Sequence, residues 1–293
     1  MSAFLLKLIA LLAMIADHIG VVYQPLFDVT LLRCIGRIAF PVFLFFIAEG
    51  CRRTRNIELY LLRLGAFALI SELPFDFALA QYKGVPYDIY SPFSYNLTEH
   101  QNVFFTFFLG ASCVYLFQKF NEITTNLYKK FKDESIYLFY VVFVIVLVMF
   151  LTVISCIIYA GDMFNVDYGS IGVLFVFILY ILPYGRKQDG KPIKLSAAGK
   201  WLRIAALFGL LYYLYIVQWI DITNLKLILE VGGIQALLDV YAIKLMLFGC
   251  ISLLLLALYN NKRGRDQRWL FYLAYPLHLL VLGIIRFVYV SGR

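Results

Sequence analysis

Apolar segments of about twenty residues recur along the chain, and they constrain its fold more than any other feature. An α-helix of that length spans the hydrocarbon core of a bilayer, which is about 30 Å thick. Backbone groups in lipid must be hydrogen-bonded internally, and the segments are too long to be barrel strands. Hydrophobic residues make up 62% of the chain and the mean hydropathy is +0.82. The sequence therefore predicts an all-α, polytopic membrane helix bundle.

The apolar pattern predicts nine transmembrane helices in a single domain that covers residues 1–293. The nine segments are residues 4–23, 33–50, 57–80, 101–118, 137–160, 169–184, 201–220, 235–259 and 269–290. The stretch 221–236 is the least regular, and it fits either an external loop or a short re-entrant helix. A tenth helix there would place the C-terminus on the cytoplasmic side. No internal repeat, low-complexity tract or linker divides the sequence.

Lysine and arginine residues concentrate in alternate loops of this topology. The second, fourth, sixth and eighth loops are basic, with Arg52, Arg53 and Arg55 in the second, whereas Lys83 and Lys226 are the main exceptions elsewhere. Cytoplasmic loops carry the excess of basic residues, so we expect a cytoplasmic N-terminus. Topology thus accounts for the net charge of +8, and we expect no nucleic-acid partner. The five cysteines show no metal-ligand spacing, and we expect no metal.

Polar and ionisable side chains inside the predicted spans gather in the outer half of the membrane. An ionisable residue at that depth costs roughly 2.5–3.5 kcal/mol, which makes each one a candidate functional residue. The candidates are Asp17, His18, Arg33, Arg37, Glu72, Asp76 and Asn102. Because lipid cannot solvate them, we expect them to line a shared cavity, in which His18 acts as general base or nucleophile. Glu72 and Asp76 fit catalysis and a structural ion pair equally well.

Asp17 and His18 are neighbours in the first span, and the helix separates their roles. Adjacent helical residues point about 100° apart, so this carboxylate and this imidazole do not form a hydrogen-bonded dyad. We expect Asp17 to pair with an arginine of the second span, while His18 faces the cavity. A competing interpretation is that Arg33 and Arg37 extend to the outer headgroups.

The inner end of the second span carries a different set of side chains, in the stretch "AEGCRRTRN" at residues 48–56. Arginine forks bind phosphate groups bidentately, so this turn suits a phosphorylated cofactor as well as a plain topogenic loop. The candidate cofactor-binding residues are Glu49, Arg52, Arg53, Thr54, Arg55, Asn56, Tyr60, Arg63 and, in the last span, His278. His278 lies near Pro276, and packing against backbone carbonyls would explain it equally well.

An ordered series of motifs resembles one known family of membrane proteins. The series is "KLIALLAMIADHIG" (7–20), "RCIGRIAFPVFLFFIAEG" (33–50), "RTRN" (53–56), "RLGAFALISELPFD" (63–76), "QNVFFTFFLG" (101–110), "DYGSIGVL" (167–174), "ALYNNKRG" (257–264) and "FYLAYPLHLL" (271–280). It resembles the TraX family, named for a bacterial membrane protein that acetylates the N-terminus of conjugative pilin. That family in turn resembles the multi-span membrane acyltransferases.

The resemblance implies a bundle of about nine to ten helices in the bacterial plasma membrane, around a central acyl-CoA tunnel. Acetyl-CoA would enter from the cytoplasm, with its phosphates on the inner arginines, and the acetyl group would pass to an extracytoplasmic acceptor. His18 would deprotonate the acceptor or take the acetyl group first. Arg37 or Asn102 would stabilise the oxyanion, and Glu72 or Asp76 would hold the acceptor or orient His18.

Two other functions fit a polytopic chain of this composition. A transporter would use the buried charges as a proton or solute path, but the sequence shows no inverted repeat. A non-catalytic membrane assembly factor would need no cofactor site. For the enzyme, a protein N-terminus, a glycan hydroxyl and an amino sugar all remain open as acceptors.

Overall fold

The structure is a computed structural model that describes residues 1–24, 28–79, 100–132, 135–185, 195–217 and 241–291. The irregular stretch 221–236, on which the choice between nine and ten spans depends, lies outside the described residues. Lys83 and Lys226, the exceptions to the charge pattern, lie outside them as well.

Ten helices make up the described part of the chain. They are α1 (Ala3–Tyr23), α2 (Thr30–Gly36), α3 (Ala39–Arg53), α4 (Ile57–Leu79), α5 (Val103–Phe131), α6 (Ile136–Met163), α7 (Gly169–Ile181), α8 (Ala197–Tyr212), α9 (Tyr241–Ala257) and α10 (Arg268–Ser291). A π-helical turn, Tyr213–Val217, follows α8 directly. Within these residues, the extended pairing consists of one isolated bridge between Gln101 and Val166.

Among the residues that the structure describes, six helical segments are long and apolar enough to cross a membrane. They are Ala3–Tyr23, Thr30–Arg53, Val103–Phe131, Ile136–Met163, Ala197–Val217 and Arg268–Tyr289. The helices α7 and α9 are apolar but shorter, and α4 has a spanning length of 23 residues but contains four charged side chains. The chain is therefore an all-α, multi-pass membrane helix bundle, as the hydropathy pattern predicts.

The predicted second span, residues 33–50, lies within the candidate membrane span Thr30–Arg53, and the structure divides this span into the two helices α2 and α3. At the junction the backbone N–H groups of Arg37 and Ile38 donate to carbonyls only three residues back, those of Cys34 and Ile35. This tighter turn interrupts the α-helical hydrogen bonding at the point where Arg33 and Arg37 contact the first helix.

Side-chain caps determine where several helices begin. Asn102 precedes α5 and accepts a hydrogen bond from the backbone N–H of Phe104 at 3.0 Å, so α5 starts two residues after the predicted position. Ser196 caps α8 in the same way through the N–H of Gly199, at 3.1 Å. Such caps satisfy backbone donors that the first helical turn leaves unpaired.

The chain divides into two compact units. The first contains Met1–Phe46, Ile70–Tyr95 and Ile181–Arg293, and the second contains Ile47–Leu69 and Asn96–Tyr180. In the second unit α5 packs along α6, with Cys113, Ile154 and Val173 in its core. The single domain expected for residues 1–293 stays a prediction.

In the first unit, the start of the chain is hydrogen-bonded to the segment between α9 and α10. The N–H of Ala3 donates to the carbonyl of Lys262 at 2.9 Å, and the N–H of Phe4 donates to that of Arg263 at 3.1 Å. Gly264 has a φ of +75°, and a Cβ there would lie 2.8 Å from the Cβ of Phe4. These bonds hold the N-terminal end of α1 against the segment that leads into α10, and these two helices carry His18 and His278.

Candidate active site

Two histidines meet between α1 and α10, within the first unit. The Nδ1 atom of His18 lies 2.6 Å from the Nε2 atom of His278, and the planes of the two rings differ by only 18°, with their centroids 4.9 Å apart. The Nδ1 atom of His278 lies 2.7 Å from the backbone carbonyl oxygen of Ala274. Both imidazoles are half-buried. His278 therefore contacts the predicted catalytic histidine directly, and its expected role in cofactor binding stays a prediction.

The surrounding side chains hold this histidine pair in place. Tyr275 is buried, and its ring lies edge-on to both imidazoles, with centroid distances of 5.8 Å to His18 and 5.7 Å to His278. Farther along α10, the fully buried Arg286 donates a hydrogen bond to the carbonyl of Val22 in α1. Contacts on both sides of the pair thus join α1 to α10.

Asp17 binds both arginines of the α2–α3 junction, which confirms the predicted pairing. Its Oδ1 atom lies 2.9 Å from Nη1 of Arg33 and 2.5 Å from Nη2 of Arg37. The side chain of Asp17 is 16% exposed, that of Arg33 21% and that of Arg37 11%, so both ion pairs are largely removed from solvent. The pairing favours the interpretation in which Arg33 and Arg37 bind Asp17 over the one in which they extend to the outer headgroups. Two guanidinium groups thus contact the carboxylate of Asp17, the residue that precedes His18.

The buried Tyr215 joins the cluster formed by Asp17, Arg33 and Arg37. Its side chain hydrogen-bonds the side chain of Arg37, and it lies on the π-helical turn after α8. Single π-helical turns inside α-helices occur frequently at functional sites. The geometry thus places a phenol, two guanidiniums and a carboxylate in one cluster of the first unit.

Gly36 allows Asp17 to approach the junction closely, which leads to a stability prediction. A Cβ at Gly36 would collide with the Asp17 carboxylate, so we expect Gly36→Ala to destabilise the protein by about 1–3 kcal/mol. Thermal unfolding in nanodiscs measures this as a lower midpoint. Gly209→Ala in α8 is the matched control, since a Cβ there meets nothing within 4 Å. An unchanged midpoint for Gly36→Ala would contradict the packing described here.

The turn between α3 and α4, named the inner turn after its predicted cytoplasmic side, belongs to the second unit, and its basic residues differ in their partners. Arg53 pairs with the buried carboxylate of Glu49 at 2.6 Å. The guanidinium of Arg52 lies 4.3 Å from the centre of the Tyr180 ring, whose hydroxyl accepts a hydrogen bond from Gln118 at 2.9 Å. The structure thus gives Arg52 and Arg53 protein contacts of their own.

Arg55 and Arg63 are the arginines of this region that retain donors for a ligand. Arg55 is exposed and has no ion-pair partner among the residues that the structure describes. Arg63 uses its Nε atom on the carbonyl of Leu59 at 3.2 Å, which leaves its two Nη groups. Of the predicted phosphate-binding residues, these two have the most available donor groups.

The other residues predicted at the inner turn shape the backbone. Asn56 accepts a hydrogen bond from the N–H of Leu59 at 2.8 Å, and the hydroxyl of Thr54 donates to the carbonyl of Asn56 at 3.0 Å. Tyr60 covers Gly50, where a Cβ would lie 2.7 Å from the phenolic oxygen. These contacts define the start of α4 and the presentation of the arginines.

The remaining candidates are buried on other elements. Glu72 and Asp76 are buried in the C-terminal half of α4, four residues apart and therefore on one face. Asn102 is fully buried; besides capping α5, its Nδ2 atom donates to the carbonyl of Ala68 at 2.8 Å. This amide has a structural use, and the catalytic roles predicted for all three side chains stay predictions.

Sequence reasoning missed Arg286, Tyr275 and Tyr215. Arg286 lies in the last predicted span, so the rule that selected Arg33 and Arg37, an ionisable residue at bilayer depth, would have found it. The two tyrosines have no comparable signal, because the chain contains 22 tyrosines and their positions at the site come from tertiary packing.

Known proteins align with parts of this chain. It is 38% identical over 73 residues to the "Probable fimbrial assembly protein FimC, serogroup H1" of Dichelobacter nodosus, which covers 24% of this chain and 30% of that protein. It is 30% identical over 129 residues to the "Uncharacterized protein RP591" of Rickettsia prowazekii (strain Madrid E), which covers 43% of this chain and 41% of that protein. Each alignment thus spans less than half of the relative's length. No solved structure matches the chain.

A comparison with whole protein families gives a longer match. The model of the family described as "TraX protein" matches residues 2–286. This range includes both histidines of the α1–α10 pair, the Asp17 cluster and the inner arginine turn. It confirms the resemblance to TraX, while membership of the larger acyltransferase superfamily stays a prediction. The chain therefore belongs to the TraX family and is a multi-pass membrane protein.

Proposed function

We propose that the protein is a membrane acetyltransferase that uses acetyl-CoA from the cytoplasm and acetylates an amine or hydroxyl of an extracytoplasmic acceptor. One observation carries this proposal: the His18 imidazole lies within a transmembrane helix, is hydrogen-bonded at one nitrogen, and follows Asp17, whose carboxylate binds the guanidiniums of Arg33 and Arg37. A base next to stabilising positive charge is the combination that acyl transfer requires.

In this reaction, His18 removes a proton from the acceptor as its nitrogen or oxygen attacks the thioester carbonyl carbon. A C–N or C–O bond forms, and negative charge develops on the carbonyl oxygen, which the guanidinium of Arg37 is suited to stabilise. The C–S bond then breaks, and the imidazolium returns the proton to the departing CoA thiolate. In the variant with a covalent intermediate, His18 first carries the acetyl group itself.

Acetyl-CoA is proposed to bind with its phosphates on the arginines of the inner turn. Arg55 and Arg63 provide donors, whereas Arg53 is paired with Glu49. Bidentate guanidinium–phosphate bonds are well suited to a diphosphate and a 3′-phosphate. A cytoplasmic position for this turn follows the positive-inside rule, and the N-terminus is then cytoplasmic too.

Arg55→Gln and Arg63→Gln are each expected to weaken CoA binding by about ten- to a hundredfold. A charge-assisted hydrogen bond contributes about 1.5–3 kcal/mol, and each 1.4 kcal/mol is tenfold in affinity. Isothermal titration calorimetry of CoA against the purified protein measures the change. Lys129→Gln, an exposed basic residue elsewhere on α5, is the control with unchanged affinity. No CoA binding by the wild-type protein would favour a non-catalytic assembly factor.

The acceptor that we favour is a subunit of a surface appendage, modified at an amine. Support comes from the local similarity to a probable fimbrial assembly protein and from membership of the TraX family. Purified wild-type protein, labelled acetyl-CoA and envelope extract from cells that lack the gene test the proposal together. Mass spectrometry of the labelled product then distinguishes a protein amine from a glycan hydroxyl or an amino sugar.

A further inference from the structure

The hydrogen bonds around the histidine pair determine which ring nitrogens carry protons. A backbone carbonyl can only accept a hydrogen bond, so the 2.7 Å contact between Nδ1 of His278 and the carbonyl of Ala274 requires a proton on that Nδ1. A neutral imidazole carries one proton. The Nε2 atom of His278 is then an acceptor.

The hydrogen bond between the two histidines then determines where His18 carries its proton. The 2.6 Å contact between Nδ1 of His18 and Nε2 of His278 needs one hydrogen, and a neutral His278 has none to give at Nε2. Nδ1 of His18 must therefore be the donor. This leaves the lone pair of the neutral His18 ring on Nε2, the nitrogen that the contact with His278 does not occupy.

We propose that His278 is a positioning residue that holds His18 in the Nδ1-protonated tautomer, so that Nε2 of His18 is the reactive nitrogen. This inference rests on the proposed acetyl transfer and deepens it. The hydrogen bond made by one imidazole nitrogen sets the state of the other, and here the chain runs from His18 through His278 to the Ala274 carbonyl. When Nε2 takes the acceptor's proton, the Nδ1–H of the resulting imidazolium becomes a stronger, charge-assisted donor to His278.

The packing supports the same assignment. The two imidazole planes differ by 18°, and the Tyr275 ring stands at about 70° to both of them. An aromatic ring against the edge or face of each imidazole restricts their rotation. The hydrogen-bond chain to the Ala274 carbonyl thus sets the tautomer, and the Tyr275 ring helps to set the direction of the lone pair.

Nitrogen NMR of histidine-labelled protein in nanodiscs tests this assignment without any turnover. The chain has only three histidines, and the variants His100→Gln and His278→Gln identify their signals. We expect both His18 and His278 to carry hydrogen on Nδ1 and none on Nε2, with a scalar coupling across the hydrogen bond between His18 Nδ1 and His278 Nε2. A proton on Nε2 of His18 would overturn the proposal.

Two substitutions of His278 separate positioning from packing. Gln offers a carbonyl that can accept from Nδ1 of His18, whereas Phe fills a similar volume with no acceptor. We expect His278→Phe to lower kcat by about 10²- to 10⁴-fold, as loss of tautomer control does in other histidine bases, and His278→Gln to restore most of it. The KM for acetyl-CoA should be unchanged in both.

Other results for the His278 variants would contradict the positioning role or assign His278 a different one. Wild-type kcat in His278→Phe, or equal losses in the Phe and Gln variants, would contradict a positioning role. A raised KM for acetyl-CoA at unchanged kcat would place His278 in cofactor binding instead. If the wild-type protein transfers no acetyl group, the proposed function fails, while the NMR spectrum still decides the tautomer.

Discussion

His18→Gln is expected to lower acetyl transfer by about 10²- to 10⁴-fold, the range that a positioned general base contributes. Glutamine is polar and of comparable size, but its amide neither accepts the acceptor's proton nor carries an acetyl group. If His18 is instead the covalent nucleophile, the loss is as large or larger. Transfer of label from acetyl-CoA to envelope extract by the purified variant measures the effect.

A stability measurement shows whether His18→Gln loses activity because the catalytic base is missing or because the protein is unfolded. Because His18 also donates to His278, the thermal unfolding midpoint of His18→Gln is measured beside its activity. We expect the variant to remain folded and to bind CoA with unchanged affinity, since the inner arginine turn belongs to the other compact unit. Wild-type turnover in a folded His18→Gln protein would refute the catalytic assignment.

Asp17→Asn is expected to destabilise the protein by about 3–5 kcal/mol, the usual result of removing one partner from a buried ion pair. The amide removes the carboxylate that binds both Arg33 and Arg37 inside a membrane span, where each charge is costly. Their side chains are only 21% and 11% exposed, so solvent screening is weak. Thermal unfolding in nanodiscs should show a strongly lowered midpoint.

A double variant tests whether the lost stability comes from the changed net charge of the cluster or from the loss of the Asp17 side chain itself. Asp17→Asn with Arg33→Gln restores the net charge of the cluster, and we expect it to recover part of the lost stability. Asp28→Asn is the matched single control, because Asp28 is exposed and the amide still accepts the 2.9 Å hydrogen bond from the N–H of Thr30. Its midpoint should equal that of the wild type. Equal midpoints for Asp17→Asn and Asp28→Asn would contradict a buried ion-pair cluster.

The helices were the most predictable part of the molecule, because a lipid solvent leaves a long apolar segment few alternatives to a helix. The predicted 4–23 and α1, Ala3–Tyr23, agree closely. The break between α2 and α3 was not predictable from hydropathy, since the tight turn at Arg37 changes no apolar position. The extension of α5 to Phe131 was also missed, because its last turns are polar and carry no spanning signal.

The candidate site was predictable where charge demanded a partner. Asp17 needed a cation inside the membrane, and the arginines four residues apart in the next segment were the nearest candidates. The contact between His18 and His278 joins residues that are 260 positions apart. A neutral imidazole can be buried without another histidine as its partner, so the sequence gives no reason to pair these two. Only the packing of α1 on α10 reveals that contact, and with it the hydrogen-bond chain to Ala274.

Sealed membrane vesicles test the central claim, transfer of an acetyl group from cytoplasmic acetyl-CoA to an extracytoplasmic acceptor, most directly. Labelled acetyl-CoA is added outside inside-out and right-side-out vesicles that contain equal amounts of wild-type or His18→Gln protein. We expect label only in inside-out vesicles that contain the wild-type protein. The labelled acceptors should lie inside these vesicles and become accessible to external reagents only after detergent is added. Labelling of right-side-out vesicles, or equal labelling with His18→Gln, would contradict the central claim.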